Sequence, residues 1–176
     1  MSPATLRTLA RVVAAIGISA AAACTHVYVP RKYPVANTTI ASFANHPTVQ
    51  MTNTAESRNT IVGSQGAHKW IGDLHTWTDV AIGLLTDELG KRGVTFVTDG
   101  KKTLKLSITR AQIFWGFAAI RCILNLHVET GDGHSFEFEG NNASPGTLYR
   151  AVDGSVTRAV EALLLSPQVR AYLEAP

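Results

Sequence analysis

Apolar and polar residues alternate between Lys102 and Gly140. Leu104, Leu106 and Ile108 recur at intervals of two, as do Ile120, Cys122, Leu124, Leu126 and Val128, and then Phe136 and Phe138. Lys105, Ser107, Thr109, Arg121, Asn125, His127, Glu129, Glu137 and Glu139 stand between them. A period of two gives a strand one buried face and one wetter face, so three consecutive strands are expected here. The last two should pair with Val128 opposite Phe136 and Leu126 opposite Phe138, around the loop Gly131-Asp132-Gly133. A glycine suits the left-handed position of such a loop. His127 then faces Glu137 and Asn125 faces Glu139, and a slip by one residue would turn both phenylalanines outward. A turn near Gly116 sets Leu106 opposite Leu126 and Ile108 opposite Leu124 in the first hairpin.

On either side the period lengthens. Trp77, Ala81, Leu84, Leu85 and Leu89 recur at helical spacing after Asp73, with Thr78, Asp79, Asp87 and Glu88 off the stripe. Asp73 can cap the first turn, and Gly90 or Gly93 can end the helix. A second helix is expected over Thr147–Leu165, entered through Ser144-Pro145. Its apolar stripe is Leu148, Val152, Val156, Ala159 and Leu163, while Arg150, Asp153, Arg158 and Glu161 lie away from it. Pro167 stops it, and Gln168 to Leu173 adds a further turn. Shorter extended pieces are expected at Pro47–Asn53, Thr60–Val62 and Val94–Val97, with Gly63–Gly66 as a loop. Two one-sided helices and one one-sided sheet pack most economically as two layers. The expected fold is an α+β two-layer sandwich: a mixed, mostly antiparallel sheet with both helices on one face, formed by a single domain over 48–176.

Residues 1–23 read as an export signal. Arg7 and Arg11 form a positive head, Val12 to Ala23 is uncharged and mostly apolar, and Ala21-Ala22-Ala23 precede Cys24. The apolar run is about a dozen residues, short of the ~20 that span a bilayer. Its end resembles the lipobox of bacterial lipoproteins, with Ala21 where Leu is usual. That resemblance implies that Cys24 becomes an acylated N-terminus. Residues 24–47, rich in Thr, Asn, Ala and Pro, would then be a flexible tether. Thr25 after the cysteine resembles the outer-membrane sorting state of such proteins, facing the periplasm. A disulfide from Cys24 to Cys122 is the alternative, since an exported chain could form one. Cys122 on the apolar side of a strand reads otherwise as a small core residue.

Charge removes one class of partner. The formal charge of +3 comes from 16 Lys+Arg against 13 Asp+Glu, and two of the cations, Arg7 and Arg11, lie in the leader. The remaining balance of 14 to 13 is nearly neutral, with no basic stripe for nucleic acid. No phosphate loop, nucleophile elbow or dinucleotide fingerprint occurs, and no cofactor is implied.

Asn53, Ala55, Glu56 and Arg58 close one strand. Glu88, Leu89, Lys91, Arg92 and Gly93 close the first helix, and Leu104 to Ile108 open the long hairpin. With the leader and element order, these residues resemble YajG-like bacterial lipoproteins over about Thr48 to Leu173. In outline they are also similar to auxiliary lipoproteins of envelope transport systems. The resemblance implies a scaffold or adaptor role at the envelope and no catalytic residues.

Five candidate sites emerge. Ile113, Phe114, Trp115 and Phe117 form a hairpin tip, and the register above leaves it uncovered by the helices, as a partner or membrane contact. A bulge near Arg110-Ala111 would instead rephase the strand and tuck Phe114 into the core. Glu56 and Arg58 form either a binding notch or a surface ion pair. His68, Trp70, Asp73, His75, Trp77 and Asp79 cluster without a metal-ligand spacing, so a tryptophan-rich helix entry and no metal site is expected. His127 with Glu129, Glu137 and Glu139 reads as a solvated cross-strand group. Cys122, once buried, is a poor nucleophile. The expectation is a non-enzymatic, lipid-anchored envelope module that contacts an unidentified envelope protein. The alternative is a carrier of lipid or another apolar molecule, which needs an internal cavity of ~300–1,000 Å³.

Overall fold

A computed structural model describes residues 24–36 and 39–176; the expected signal, 1–23, lies outside the described residues. The elements among them run β1 (Thr25–Val27), β2 (Thr48–Asn53), β3 (Asn59–Gln65), β4 (His68–Asp73), α1 (Leu74–Gly90), β5 (Thr95–Phe96), β6 (Lys102–Trp115), β7 (Ile120–Thr130), β8 (Ser135–Ser144), α2 (Leu148–Leu165) and α3 (Pro167–Glu174).

The main sheet has the order β5-β2-β6-β7-β8. β2 runs parallel to both β5 and β6, while the long β6–β7 and β7–β8 ladders are antiparallel. Alternation sets its faces. Leu104, Leu106 and Ile108 of β6 and Cys122, Leu124, Leu126 and Val128 of β7 are all buried. Trp77, Ala81, Leu84, Leu85 and Leu89 of α1 and Val152, Val156, Ala159 and Leu163 of α2 join them in one core. The fold is thus α+β with both long helices on one face of a mixed sheet, and burial of those two stripes holds the layers together.

The β7–β8 hairpin has the expected register, with Val128 opposite Phe136, Leu126 opposite Phe138 and His127 opposite Glu137. Gly133 takes φ +87° in its loop, a conformation that L side chains resist. The β6–β7 register differs from expectation. Leu106 lies opposite Val128 and Ile108 opposite Leu126, and the pairing then shifts between Ile108 and Arg110. This bulge rephases the strand, so that Ala111 and Ile113 return to the apolar face, each 5% exposed. Thr78 of α1 serves the disturbed ladder: its Oγ1 accepts from Ile108 N at 2.8 Å and donates to Leu74 O at 2.8 Å. Thr78 was expected off the helical stripe, yet it is fully buried for this reason.

A second sheet was not foreseen. Its order is β1-β4-β3, with β1 parallel to β4 and β3 antiparallel to it. The expected helix entry from His68 to Gly72 is its central strand, and Gly63 to Gln65, expected as loop, belongs to β3. Gly63 makes the close approach to the main sheet possible. A Cβ there would lie 2.8 Å from the Trp115 ring and 2.9 Å from Ile113 Cβ. The small sheet therefore covers the part of β6 that the helices do not reach.

The expected tether is also part of the fold. Cys24 O accepts from Lys69 N at 2.9 Å, and Tyr28 N donates to Ile71 O at 3.0 Å. Trp77 Nε1 donates to Tyr28 O at 2.9 Å. Tyr28 and Phe43 are buried, and Val35 and Ile40 pack on the core. The Tyr28 hydroxyl donates to Asp153, and Arg31 N donates to the same carboxylate oxygen at 2.9 Å. Asp153 was expected off the apolar stripe of α2; the N-terminal segment crosses it and leaves it 5% exposed. Low sequence periodicity in 24–47 concealed this, because each anchor is a single residue in an irregular segment.

Candidate functional site

Three features meet at one end of the molecule, and strand direction brings them together. β1 starts beside Lys69, so Cys24 lies next to the β3–β4 turn at Gly66-Ala67. β6 passes Leu74 and Arg58 at Ile108–Thr109, then reaches Gly63 and Trp70 at Ile113–Trp115. It therefore runs alongside β3, and the turn 116–119 projects toward the end where Cys24 stands. Cys24 is exposed and its thiol is free.

The four tip residues separate. Ile113 is core, which corrects its assignment to an exposed contact. Trp115 is half-buried, stacked at a tilt on Trp70 with ring centroids 4.4 Å apart. Phe114 is 47% exposed on the opposite face of β6, and Phe117 in the turn is fully exposed at 110%. The bulge near Arg110 is present, but it buries Ile113 and leaves Phe114 outside. Sequence reading missed a second apolar patch, on the small sheet. Val27 and Ile61 are both paired to Ile71 across the small sheet, and they are 72% and 57% exposed. The only signal for it was the β-branched residue at each position.

The remaining candidates are structural in their geometry. Glu56 and Arg58 form a 3.6 Å ion pair in water. Beside it, Asp73 caps α1. Its carboxylate accepts from His75 N (3.1 Å), Thr76 Oγ1 (3.0 Å), Ser57 Oγ (3.1 Å) and Arg58 N (3.1 Å). Desolvation alone would raise its pKa, but these donors outweigh it and hold the carboxyl below its ordinary value. Asn53 donates to His75 O at 2.9 Å and to Asp79 Oδ1 at 2.6 Å, tying the end of β2 to the same turn. The expected cluster is dispersed: Trp77 is buried, while His68 and Trp70 stack with His26 on the small sheet. His26 Nε2 and His68 Nδ1 share a 3.0 Å hydrogen bond. Among the described residues no group of three or more His, Cys, Asp or Glu could hold a metal ion.

His127 and Glu137 form a 2.9 Å pair on the open sheet face, and Lys105 and Glu129 one of 2.8 Å. Cys122 is buried and unpaired, so no disulfide joins it to Cys24. Burial pushes its thiol up to about 11, against a counteracting hydrogen bond from Ser155 Oγ at 3.2 Å. Glu88 is buried at the end of α1. Desolvation would raise its pKa, but Lys91 Nζ and Arg92 Nη1, each 2.7 Å away, keep it below the usual range.

Among the described residues, cavities of ligand size open at the surface. One of about 540 Å³ lies between α3 and the β7–β8 loop, lined by Phe136, Tyr172, Lys102 and His134 among others. Another, about 450 Å³, adjoins Tyr33, Asn142, Arg150 and Asp153. Between the long helices and the sheet the space is filled by Trp77, Leu85, Leu106, Leu124 and their neighbours.

No family model and no curated protein matches the sequence. Among solved structures the chain is similar to protein XCC0632 from Xanthomonas campestris, of family DUF330. Identity is 15%, covering 84% of this chain and 94% of that one, with a TM-score of 0.47. Among the described residues no helix is long and apolar enough to cross a membrane.

Proposed function

We propose that this is a non-enzymatic lipoprotein of the bacterial envelope, acylated at Cys24 and acting by contact at the periplasmic face, with the outer membrane as its site. The observation that carries this reading is the position of Cys24. It follows a signal-like leader, is exposed, and has its carbonyl bound to Lys69 N. A cysteine held at the surface where the leader ends is accessible for acylation, and two or more acyl chains anchor a protein firmly. Membership among the YajG-like lipoproteins belongs to the same proposal. The contact surface is the exposed apolar tip at this end, Phe114 and Phe117. Intact mass of membrane-extracted protein tests it: acyl chains on a chain beginning at Cys24 are expected. A mass that retains residues 1–23, or an unmodified Cys24, would sink the reading.

A further inference from the structure

The tip and the anchoring cysteine point the same way, and no linker separates the cysteine from the fold. Thr25 is already in β1, and Cys24 O is held by Lys69 N at 2.9 Å. Acyl chains on Cys24 would therefore bring this end of the domain against the bilayer, with no slack to hold it off. The chemistry of the end matches such a surface. Its segments are 24–27, 64–70, 112–121 and 141–147; the last is included because Ser144 pairs with Ile120. They contain no Asp or Glu, and they carry Lys69 and Arg121, both exposed. Glu139 borders these segments, accepting from Asn141 Nδ2 at 3.3 Å, while Glu129, Asp132 and Glu137 lie toward the far end of the same β7–β8 hairpin.

Phe117 stands at this end, fully exposed in a turn of small residues, Gly116, Ala118 and Ala119. Phe114 flanks it, paired across the ladder with Arg121. An exposed aromatic with Arg121 beside it and Lys69 at the same end is the pattern of an interfacial membrane contact. The ring enters the headgroup–acyl boundary, and the cations remain among lipid phosphates. Trp115 is held back by Trp70 and keeps the turn at a fixed angle to the small sheet.

Resting on the lipoprotein reading above, we infer that the β6–β7 turn inserts Phe117 into the surface of the membrane that holds the Cys24 acyl chains. The domain is thereby docked at two points and fixed in orientation, not free to swing. The occupant of the exposed tip is phospholipid. The orientation leaves the Asp132 end facing the aqueous space, available to other envelope components.

The test uses the acylated full chain, extracted and reconstituted into phosphatidylethanolamine–phosphatidylglycerol vesicles. Its one remaining thiol, Cys122, is buried, so Phe117→Cys and Asp132→Cys can each be labelled selectively with an environment-sensitive fluorophore. The label at 117 should shift to the blue and be quenched by nitroxide-bearing lipid; the label at 132 should do neither. Ala118→Cys, at the exposed neighbouring position, serves if Phe117→Cys folds poorly. A water-like label at 117 and 118, on protein whose mass shows acyl chains, overturns the insertion and leaves the lipoprotein reading intact. A label that shifts only in native membranes, and not in pure lipid vesicles, assigns the tip to a protein and also overturns it. A mass without acyl chains removes both.

Discussion

The Trp70 and Trp115 rings lie 4.4 Å apart and join the two sheets at one point. On one side Gly63 removes the side chain that would block the approach, and on the other the β6 bulge has turned Ile113 inward. The exposed tip is therefore mounted on a packed base. Trp115 and Phe117 are two residues apart and have opposite roles.

That difference is measurable. Trp115→Ala should destabilise the fold by about 2–4 kcal/mol, somewhat less than the ~3–5 for removing a core aromatic, because the ring is only half-buried. Phe117→Ser should leave the urea midpoint unchanged, since its ring touches solvent alone. Equal losses in the two variants would place Phe117 in the core and contradict the geometry of the tip.

Asp153 should report on the N-terminal segment. Tyr28 and Arg31 N are its partners, and burial together with the Asp153 hydrogen bond pushes the Tyr28 hydroxyl above its ordinary range. Tyr28→Phe leaves the buried carboxylate with one donor fewer, at a cost of about 1–3 kcal/mol. Hydrogen exchange in 24–36 should rise in this variant while the β7 amides stay protected. Uniform loss of protection would show instead that the segment and the core unfold together.

Acid should destabilise the protein in a defined direction. Asp73, Glu88, Glu129 and Asp132 all have carboxyls held below their ordinary values in the fold. A depressed folded pKa contributes stability that is present above the unfolded carboxylate range of ~4 and is lost as pH falls through the folded values. Urea midpoints should therefore be level from neutral pH to about 5 and fall below it. Asp73→Asn keeps an acceptor for the helix amides but cannot be protonated, so its acid-side fall should be shallower. An unchanged slope would show that Asp73 does not contribute.

Cys122 should resist thiol reagents at neutral pH. Its thiol is buried beneath α2, and burial has pushed it up to about 11. Reaction should appear only with unfolding and track the loss of structure. Fast labelling of the native protein would mean that α2 opens readily from the sheet.

Much of the architecture was written in local periodicity. The alternation from Leu104 to Phe138 determined three strands, their buried face and the β7–β8 register, because any slip would expose phenylalanine. The stripes of α1 and α2 determined that both helices cover that face, and Asp73 and Pro167 marked helix boundaries. The bulge after Ile108 was not determined locally; it depends on Thr78, thirty residues away in the chain, accepting from an amide the ladder leaves aside. Tertiary structure alone decided the second sheet, whose strands are short and whose Gly63 has no side chain to register in a pattern. The burial of Asp153 under Tyr28 was decided the same way. The exposure of Phe117 beside Cys24 has the same origin: it depends on which strands run side by side, a long-range fact that neither hydrophobic period encodes.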